Sequence, residues 1–263
     1  VNLPYLKNKS FNPFKTKSPT NLGISTLIYD SLFVMNNDYS STMLLAKEFH
    51  NDGKKITVTL IDGITFSNGD SLTAYDVVYS FKLAKKCNAF NGRLSNFAGA
   101  KAGSDTVTFT LNKPDVYAQQ CLTFPIVQSG TGDASLPIGS GRYILRSING
   151  RYVLAANAKN TRNEELKTKI IGLVPITAEN EEIYRVQTGE LSYYYNDMDT
   201  GAFTKLTAAT VPVPTNNLIF LGYKGSDSVF KNKQVIKALR LAIDKSTLAD
   251  TVFDNFCTLT ETP

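Results

Sequence analysis

The side chains best suited to ligand binding in this sequence are three consecutive tyrosines, followed by an amide and a carboxylate. They are Tyr193, Tyr194, Tyr195, Asn196 and Asp197. On an extended strand, successive side chains point to opposite faces, so at least one of these rings faces away from the core. Tyrosine combines a large apolar surface with a hydroxyl at a low cost in conformational entropy, which suits ligand binding. Rings that simply pack under loops are the alternative, and the sequence leaves both open.

Catalytic and metal-binding constellations are absent from the sequence. His50 is the single histidine, which excludes most hydrolase triads and histidine-rich metal sites. Three cysteines at wide spacing indicate neither a disulfide framework nor a metal-binding pair. Asp76 is predicted to cap a helix, and an acid–base pair using Asp70 or Asp197 is an unsupported alternative. We therefore predict a binding protein with no catalytic residue, no metal and no cofactor.

A glycine-rich stretch resembles half of a phosphate loop. Gly139 and Gly141 flank Ser140, but the Lys-Ser/Thr pair of a phosphate loop does not follow, and the third glycine of a dinucleotide fingerprint is missing. The residues from Arg142 onward have strand character instead. The pattern therefore favours a tight turn that enters a strand.

Hydrophobic periodicity predicts the elements that position these side chains. Strands are predicted over 55–60, 106–111, 168–174, 191–197 and 218–223, with a hairpin over 142–145 and 151–154 around Asn149-Gly150. Helices are predicted over 21–33, 178–188 and 233–253, and a further helix begins at Ala74 after a capping box formed by Thr73 and Asp76. The helical stretch 233–253 is expected to break at 244–246, with Ser246 as the N-cap of its second helix. Because strands and helices are intermixed, the fold class is α/β, of the mixed α+β kind.

Composition excludes several classes of protein. The chain has 263 residues, of which 42% are hydrophobic and 19% charged, so it can bury a large core and is not globally disordered. Its net charge of +5 is spread along the chain, and no nucleic-acid partner is predicted. No apolar run approaches the ~20 residues of a membrane span, and no signal peptide is visible. These features predict a soluble globular binding module.

Several stretches of the chain together resemble one known family. They are Phe11–Phe14, Leu27–Phe33, Leu45–Phe49, Thr57–Phe81, Pro137–Tyr143, Gln187–Leu191 and Val235–Lys245. In order and spacing they resemble the extracellular solute-binding proteins of peptide ABC transporters, the oligopeptide-, dipeptide- and nickel-binding group called family 5. The stretch Thr57–Phe81 is close to the hallmark segment of that family. Phe49 and Phe66 stand where the family usually has tryptophan, and Ser192 stands in place of an aspartate.

The resemblance implies an architecture. It is a periplasmic-binding-protein-like type II lobe with an inserted smaller β-rich domain. Residues 1–35 and 130–220 would form the first lobe and 36–129 the inserted domain, while 221–263 would form the hinge, at Tyr223, and the start of a second large lobe. Family members resemble one another over a much longer chain, so we expect this one to be an amino-terminal portion. Strands 56–60 and 107–111 should then lie in a different sheet from strand 170–174.

The resemblance also implies where a ligand lies. Peptide-binding members hold an extended peptide whose backbone pairs with strand-like protein segments, so side chains are recognised loosely. Those segments fall here on Lys17, Ser18 and Pro19, and on Tyr194, Tyr195, Asn196 and Asp197. Pro19 has no N–H, so it could contact a ligand only through its carbonyl. In peptide binders the carboxylate that captures the ligand's amino terminus lies in the second lobe.

The function implied by the resemblance is the substrate-binding component of an ABC importer. Such a protein captures a peptide or a related small solute between two lobes and delivers it to the permease membrane subunits. It is extracytoplasmic, as a cell-surface lipoprotein or a periplasmic protein, and monomeric at full length. A non-transporting peptide receptor or sensor on the same fold is the alternative, and a hydrolase is a weaker one. A nickel or haem binder fits less well, because the chain has one histidine and no tryptophan.

Overall fold

The computed structural model describes residues 1–160, 166–178, 181–195, 209–213, 215, 217–226 and 229–260. The chain divides into two compact units, Val1–Tyr194 and Tyr195–Pro263. The strands are β1 (Asn2–Leu6), β2 (Phe33–Met35), β3 (Ser41–Met43), β4 (Ala46–Asn51), β5 (Lys55–Leu60), β6 (Phe97–Ala102), β7 (Thr106–Leu111), β8 (Tyr143–Ile148), β9 (Arg151–Ala156) and β10 (Ile170–Ile176). The helices are α1 (Pro19–Ile28), α2 (Ala74–Lys86), α3 (Glu181–Gln187), α4 (Lys233–Ala242) and α5 (Lys245–Phe253).

Two four-stranded sheets form the first unit, together with the hairpin of β2 and β3. The first sheet has the order β1-β10-β9-β8, in which β1 and β10 are parallel and the other neighbours antiparallel. The second sheet has the order β4-β5-β7-β6 and is antiparallel throughout. The prediction that strands 56–60 and 107–111 lie in a different sheet from strand 170–174 is therefore confirmed.

Each sheet has its own hydrophobic core, because each strand buries alternate side chains. In the second sheet Ile56 and Val58 are fully buried beneath α2, which contributes Val77 and Phe81. The first sheet packs against α1 through a separate cluster of Tyr5, Ile24, Ile28, Leu145, Leu154, Ile171 and Leu173. The domain limits at 35/36, 129/130 and 220/221 stay a prediction, and the two separate cores are the observation in favour of the first two.

Local sequence signals place two elements correctly. The Asp76 carboxylate accepts hydrogen bonds from the Thr73 backbone N–H at 2.8 Å and from the Thr73 hydroxyl at 2.7 Å, so α2 begins at Ala74 as predicted. Asn149 and Gly150 have φ of +50° and +74°, as a type I′ turn requires, and they join β8 to β9. The predicted capping box and hairpin are both confirmed.

Helix ends were predicted less well. The first helix was predicted over 21–33 but begins at Pro19 and ends at Ile28, because the chain beyond Ile28 bonds to distant segments: the Asp30 carbonyl accepts from the Ile126 N–H at 2.8 Å. Ser246 was predicted to cap the last helix, and this is wrong. Asp244 is the cap, since its carboxylate accepts from the Thr247 N–H at 3.0 Å.

Two predicted strands are not formed in the described residues. Residues 217–223 are irregular, as are residues 191–195. A strand exists only when a neighbouring strand accepts and donates its backbone hydrogen bonds. In the described part of the chain, residues 191–195 bond to β1 only at Ser192 and residues 217–223 pair with no strand, so neither segment forms a ladder.

Candidate functional site

The first predicted ligand segment, residues 17–19, leads into α1. Ser18 is the N-cap, and its side chain is buried. Its hydroxyl accepts from the Asn21 N–H at 3.3 Å, its carbonyl accepts from the Leu22 N–H at 3.0 Å, and its own N–H donates to the Thr16 hydroxyl at 3.2 Å. The hydrogen-bonding groups of Ser18 are thus engaged within the protein, and the residue serves to fix the segment.

Lys17 is different, because its main chain is open. The residue is exposed, and neither its backbone N–H nor its C=O has a hydrogen-bond partner among the described residues. Pro19, the first residue of α1, has no N–H to offer. The segment therefore presents one backbone donor and one backbone acceptor, both on Lys17, which is the pattern that an extended peptide can match.

Asn21 holds this segment in place. Its side chain is fully buried, and its Oδ1 accepts from the Leu6 N–H at 2.7 Å. Its Nδ2 donates to the carbonyls of Leu6 at 3.2 Å and Lys9 at 3.1 Å. Asn21 was not among the predicted site residues, although a signal exists: it lies on the same helical face as Ile24 and Ile28, where a polar side chain must find buried partners.

The outer edge of β1 would be an alternative place for a peptide backbone to pair. The Val1 carbonyl accepts from the Gly172 N–H at 2.9 Å, and the Lys7 N–H donates to the Ile176 carbonyl at 3.0 Å. Since backbone groups alternate in direction along a strand, the odd-numbered residues face β10. The outer edge therefore consists of the backbone groups of residues 2, 4 and 6.

None of these three residues offers both a free donor and a free acceptor on this edge. Ser192 donates its N–H to the Asn2 carbonyl at 3.0 Å and accepts from the Asn2 N–H at 3.0 Å through its hydroxyl. Pro4 has no N–H, and both backbone groups of Leu6 are bonded to Asn21. The edge lacks a donor at Pro4 and its Asn2 and Leu6 groups are bonded, so it does not offer a complete ladder to a further strand, as natural edge strands commonly do not.

The second predicted ligand segment, Tyr194 to Asp197, follows directly on Tyr193. Tyr193 is 58% exposed and Tyr195 is 56% exposed, whereas Tyr194 is half-buried. Asn196 and Asp197 lie outside the described residues, and Tyr195 belongs to the second unit. Tyr193 follows directly on the anchored Ser192, so its exposed ring has a fixed starting point on the first unit.

The helix α3 contacts the start of α1. The Thr20 hydroxyl in the first turn of α1 donates to the buried Glu182 carboxylate at 3.2 Å. The two anchors, Asn21 at Leu6 and Ser192 at Asn2, hold opposite ends of β1, which lie about 13 Å apart at ~3.3 Å per residue. Residues 17–19 therefore lie near the anchored Leu6 end of β1, and Tyr193 follows Ser192 at the Asn2 end.

A shallow pocket of about 500 Å³ lies beside this region, lined by Glu181, Tyr184, Arg185 and Glu190. Arg185 forms ion pairs with Glu181 at 3.3 Å and with Glu190 at 2.8 Å. A hydrogen bond from the Thr177 hydroxyl, with Arg185 as a smaller contribution, lowers the pKa of Glu181 below its ordinary value. The charged groups of the pocket therefore bond to one another and fix the chain that leads to Ser192.

The hallmark segment joins the two sheets. The Asp70 carboxylate accepts from the amides of Asn68 and Gln128, each at 2.7 Å, and the Ser67 N–H donates to the Gly139 carbonyl at 2.9 Å. With its carboxylate bonded in this way, Asp70 has a structural role in the described residues. The segment serves to fix the loop that leads into β8.

Close packing against the end of α1 requires glycine at positions 139 and 141. A Cβ on Gly141 would lie 2.4 Å from the carbonyl carbon of Ile28, and the Gly141 N–H donates to the Ile28 oxygen at 2.9 Å. A Cβ on Gly139 would meet the same oxygen at 2.4 Å. The turn satisfies the carbonyl at the end of α1 and then enters β8, which confirms the tight turn predicted from the sequence.

The predicted hinge residue lies in the second unit. Tyr223 is 53% exposed, and its ring centroid is 5.2 Å from that of Phe230. No observation tests its role as a hinge. Within the described ranges, no three His, Cys, Asp or Glu side chains are grouped as a metal site would need, and no helix is long and apolar enough to cross a membrane.

Comparison with known sequences gives a family match. A profile of the bacterial extracellular solute-binding proteins, family 5 middle, matches residues 42–263. The periplasmic oligopeptide-binding protein OppA of Salmonella typhimurium is 23% identical over 93% of this chain and 52% of its own length. The oligopeptide-binding protein OppA of Bacillus subtilis is 25% identical over 70% of this chain and 40% of its own length. The chain thus spans about half the length of the curated relatives it matches.

Solved structures show the same fold. NikA from Brucella suis in complex with Fe(III)-EDTA gives a TM-score of 0.68 at 18% identity, over 97% of this chain and 57% of that one. The oligopeptide-binding protein AppA from Bacillus subtilis with a nonapeptide gives a TM-score of 0.64 at 19% identity, over 97% and 56%. The predicted fold class, a mixed α/β lobe of the type II periplasmic-binding-protein kind, is confirmed.

Proposed function

Because this chain belongs to the bacterial extracellular solute-binding proteins of family 5, we propose that it captures peptides outside the cytoplasm and delivers them to the permease of an ABC importer. The support comes from its curated relatives, which are named as oligopeptide-binding and dipeptide-binding proteins. The observation that carries the proposal is the open main chain of Lys17, held on the buried anchors Ser18 and Asn21.

Capture starts with the ligand backbone. An extended peptide donates one N–H to the Lys17 carbonyl and accepts the Lys17 N–H, so recognition at this point does not depend on the ligand's side chains. Because Ser18 and Asn21 already fix the protein backbone, little conformational entropy is lost when the peptide binds. The exposed ring of Tyr193, near the other end of β1, adds apolar contact surface.

Closure of a second lobe over the ligand completes the proposed mechanism, with Tyr223 at the hinge. The family resemblance puts the carboxylate that captures the ligand's amino terminus in that second lobe. A charge-assisted hydrogen bond contributes about 1.5–3 kcal/mol, or roughly ten- to a hundredfold in affinity. We therefore expect the 263-residue chain to bind peptides more weakly than micromolar.

Amide NMR of the ¹⁵N-labelled chain, titrated with a mixed library of di- to pentapeptides, tests the proposal. The Lys17 amide signal should shift, together with that of Tyr193. Lys17→Pro removes the N–H and should abolish the shift at Tyr193, whereas the matched control Lys17→Gln keeps the main chain and should titrate like the wild type. Titration of Lys17→Pro like the wild type, or micromolar binding with no change at either residue, would overturn the proposed site.

A further inference from the structure

Three Asn-Gly dipeptides occur in the chain, at Asn68, Asn91 and Asn149. In such a dipeptide the backbone nitrogen of the glycine attacks Cγ of the asparagine, a new C–N bond closes a succinimide, and the side-chain nitrogen leaves as ammonia. Water then opens the ring to aspartate or isoaspartate. Glycine permits the attack because it has no Cβ to hinder it. We infer that Asn91 is a spontaneous deamidation site of the folded protein, and that the fold protects the other two.

Asn68 is protected by hydrogen bonds on both reacting groups. Its Nδ2 donates to the Asp70 carboxylate at 2.7 Å and to Gln128 Oε1 at 3.1 Å, and its Oδ1 accepts from the Asp70 N–H at 3.1 Å. The attacking nitrogen of Gly69 is also engaged, because its N–H donates to the Phe66 carbonyl at 2.9 Å. Reaction would require all four of these bonds to break.

Asn149 is protected by its backbone. It forms the tip of the β8–β9 hairpin with a φ of +50°, and Gly150 follows with a φ of +74°. The flanking residues Ile148 and Arg151 are paired in the antiparallel ladder, which continues to Tyr143 opposite Ala156. The peptide plane between Asn149 and Gly150 must rotate before its nitrogen can approach Cγ, and the ladder resists that rotation.

Asn91 has neither the side-chain bonds of Asn68 nor the strand ladder of Asn149; its backbone is held by turn bonds from the Asn91 N–H to the Cys87 carbonyl at 2.8 Å and from the Ser95 N–H to the Gly92 carbonyl at 3.2 Å. Asn91 and Gly92 are both exposed and lie in the turn between α2 and β6. The Asn91 side-chain amide and the Gly92 N–H have no hydrogen-bond partner among the described residues. A Cβ built on Gly92 meets nothing within 4 Å, so the space around the attacking nitrogen is open.

The position gives the modification a structural consequence. Phe90 and Leu94, on either side of the dipeptide, are both buried in the core of the second sheet, and the Leu94 N–H donates to the Phe90 carbonyl at 3.2 Å across the turn. Isoaspartate adds a methylene to the backbone inside that turn. It therefore strains this hydrogen bond and the packing of the Phe90 and Leu94 side chains, whereas aspartate at the same position changes only the charge.

Peptide mapping by mass spectrometry after prolonged incubation at mildly alkaline pH tests the inference. In the folded chain, deamidation should appear first at Asn91, with isoaspartate as the larger product. Asn91→Gln should abolish it and Gly92→Ala should slow it, and Asn149→Gln, the matched control, should leave it unchanged. In urea all three sites should react at similar rates. Earlier or equal reaction at Asn68 or Asn149 in the folded chain, or an unreactive Asn91, would overturn the inference.

Discussion

Removing the Asn21 side chain should destabilise the first unit substantially. In Asn21→Ala the Leu6 N–H loses its acceptor and the Lys9 carbonyl loses its Asn21 donor, whereas the Leu6 carbonyl loses Asn21 but keeps the Lys9 N–H at 3.2 Å. Leu6 is buried, so its unsatisfied N–H costs about 1–3 kcal/mol, and each lost bond to a carbonyl costs about 0.5–1.5 kcal/mol. Alanine returns up to about 0.7 kcal/mol in helix propensity. These contributions together give a net loss of about 1–6 kcal/mol.

Urea unfolding followed by circular dichroism measures this loss, and amide exchange at Leu6 locates it. Thr26→Ala is the matched control on the same helix, since the Thr26 hydroxyl is exposed and bonds only to the Gly23 carbonyl of its own helix, at 2.7 Å. It should change stability by less than about 0.5 kcal/mol.

Asn21→Asp separates the two halves of the interaction. It keeps the acceptor for the Leu6 N–H but turns a carboxylate oxygen toward the Leu6 carbonyl, so it should destabilise at least as much as Asn21→Ala. The reasoning is refuted if Asn21→Ala unfolds within about 0.5 kcal/mol of the wild type while the Leu6 amide stays protected.

Three further outcomes are expected. Gly141→Ala should destabilise strongly, because its Cβ would lie 2.4 Å from the Ile28 carbonyl, whereas Gly23→Ala, with nothing within 4 Å, should stabilise α1 by about 0.5–1 kcal/mol in the same urea assay. Hydrogen bonds from the backbone N–H and hydroxyl of Thr247 lower the pKa of Asp244 to about 2 from 3.8. The Asp244 cap of α5 is therefore fully present above pH 3.8 and lost as the pH falls through about 2. NMR of α5 as a function of pH measures this, and loss of the cap above pH 4 contradicts the assignment. The exposed thiol of Cys257 should react with a disulfide reagent in the native chain and the buried Cys87 only after unfolding, so equal rates would contradict the assigned burial.

Signals that act over a few residues were sufficient to predict several elements. The capping box at Thr73 and the Asn149-Gly150 turn depend on backbone conformations that their own side chains favour, so no distant residue is needed to decide them. The alternation of Ile56 and Val58 with threonine likewise fixes which face of β5 is buried. The family resemblance then placed these elements in the correct fold class.

The tertiary structure decided which backbone groups stay open for a ligand. The family resemblance placed residues 17–19 in a candidate site, but only the fold shows that the hydrogen-bonding groups of Ser18 are engaged while those of the Lys17 main chain are not. At the edge of β1, the backbone groups of Asn2 are bonded to Ser192, a residue 190 positions away in the chain. A backbone N–H is chemically the same at almost every position, so its availability depends on which distant segment folds against it, and local sequence cannot specify that.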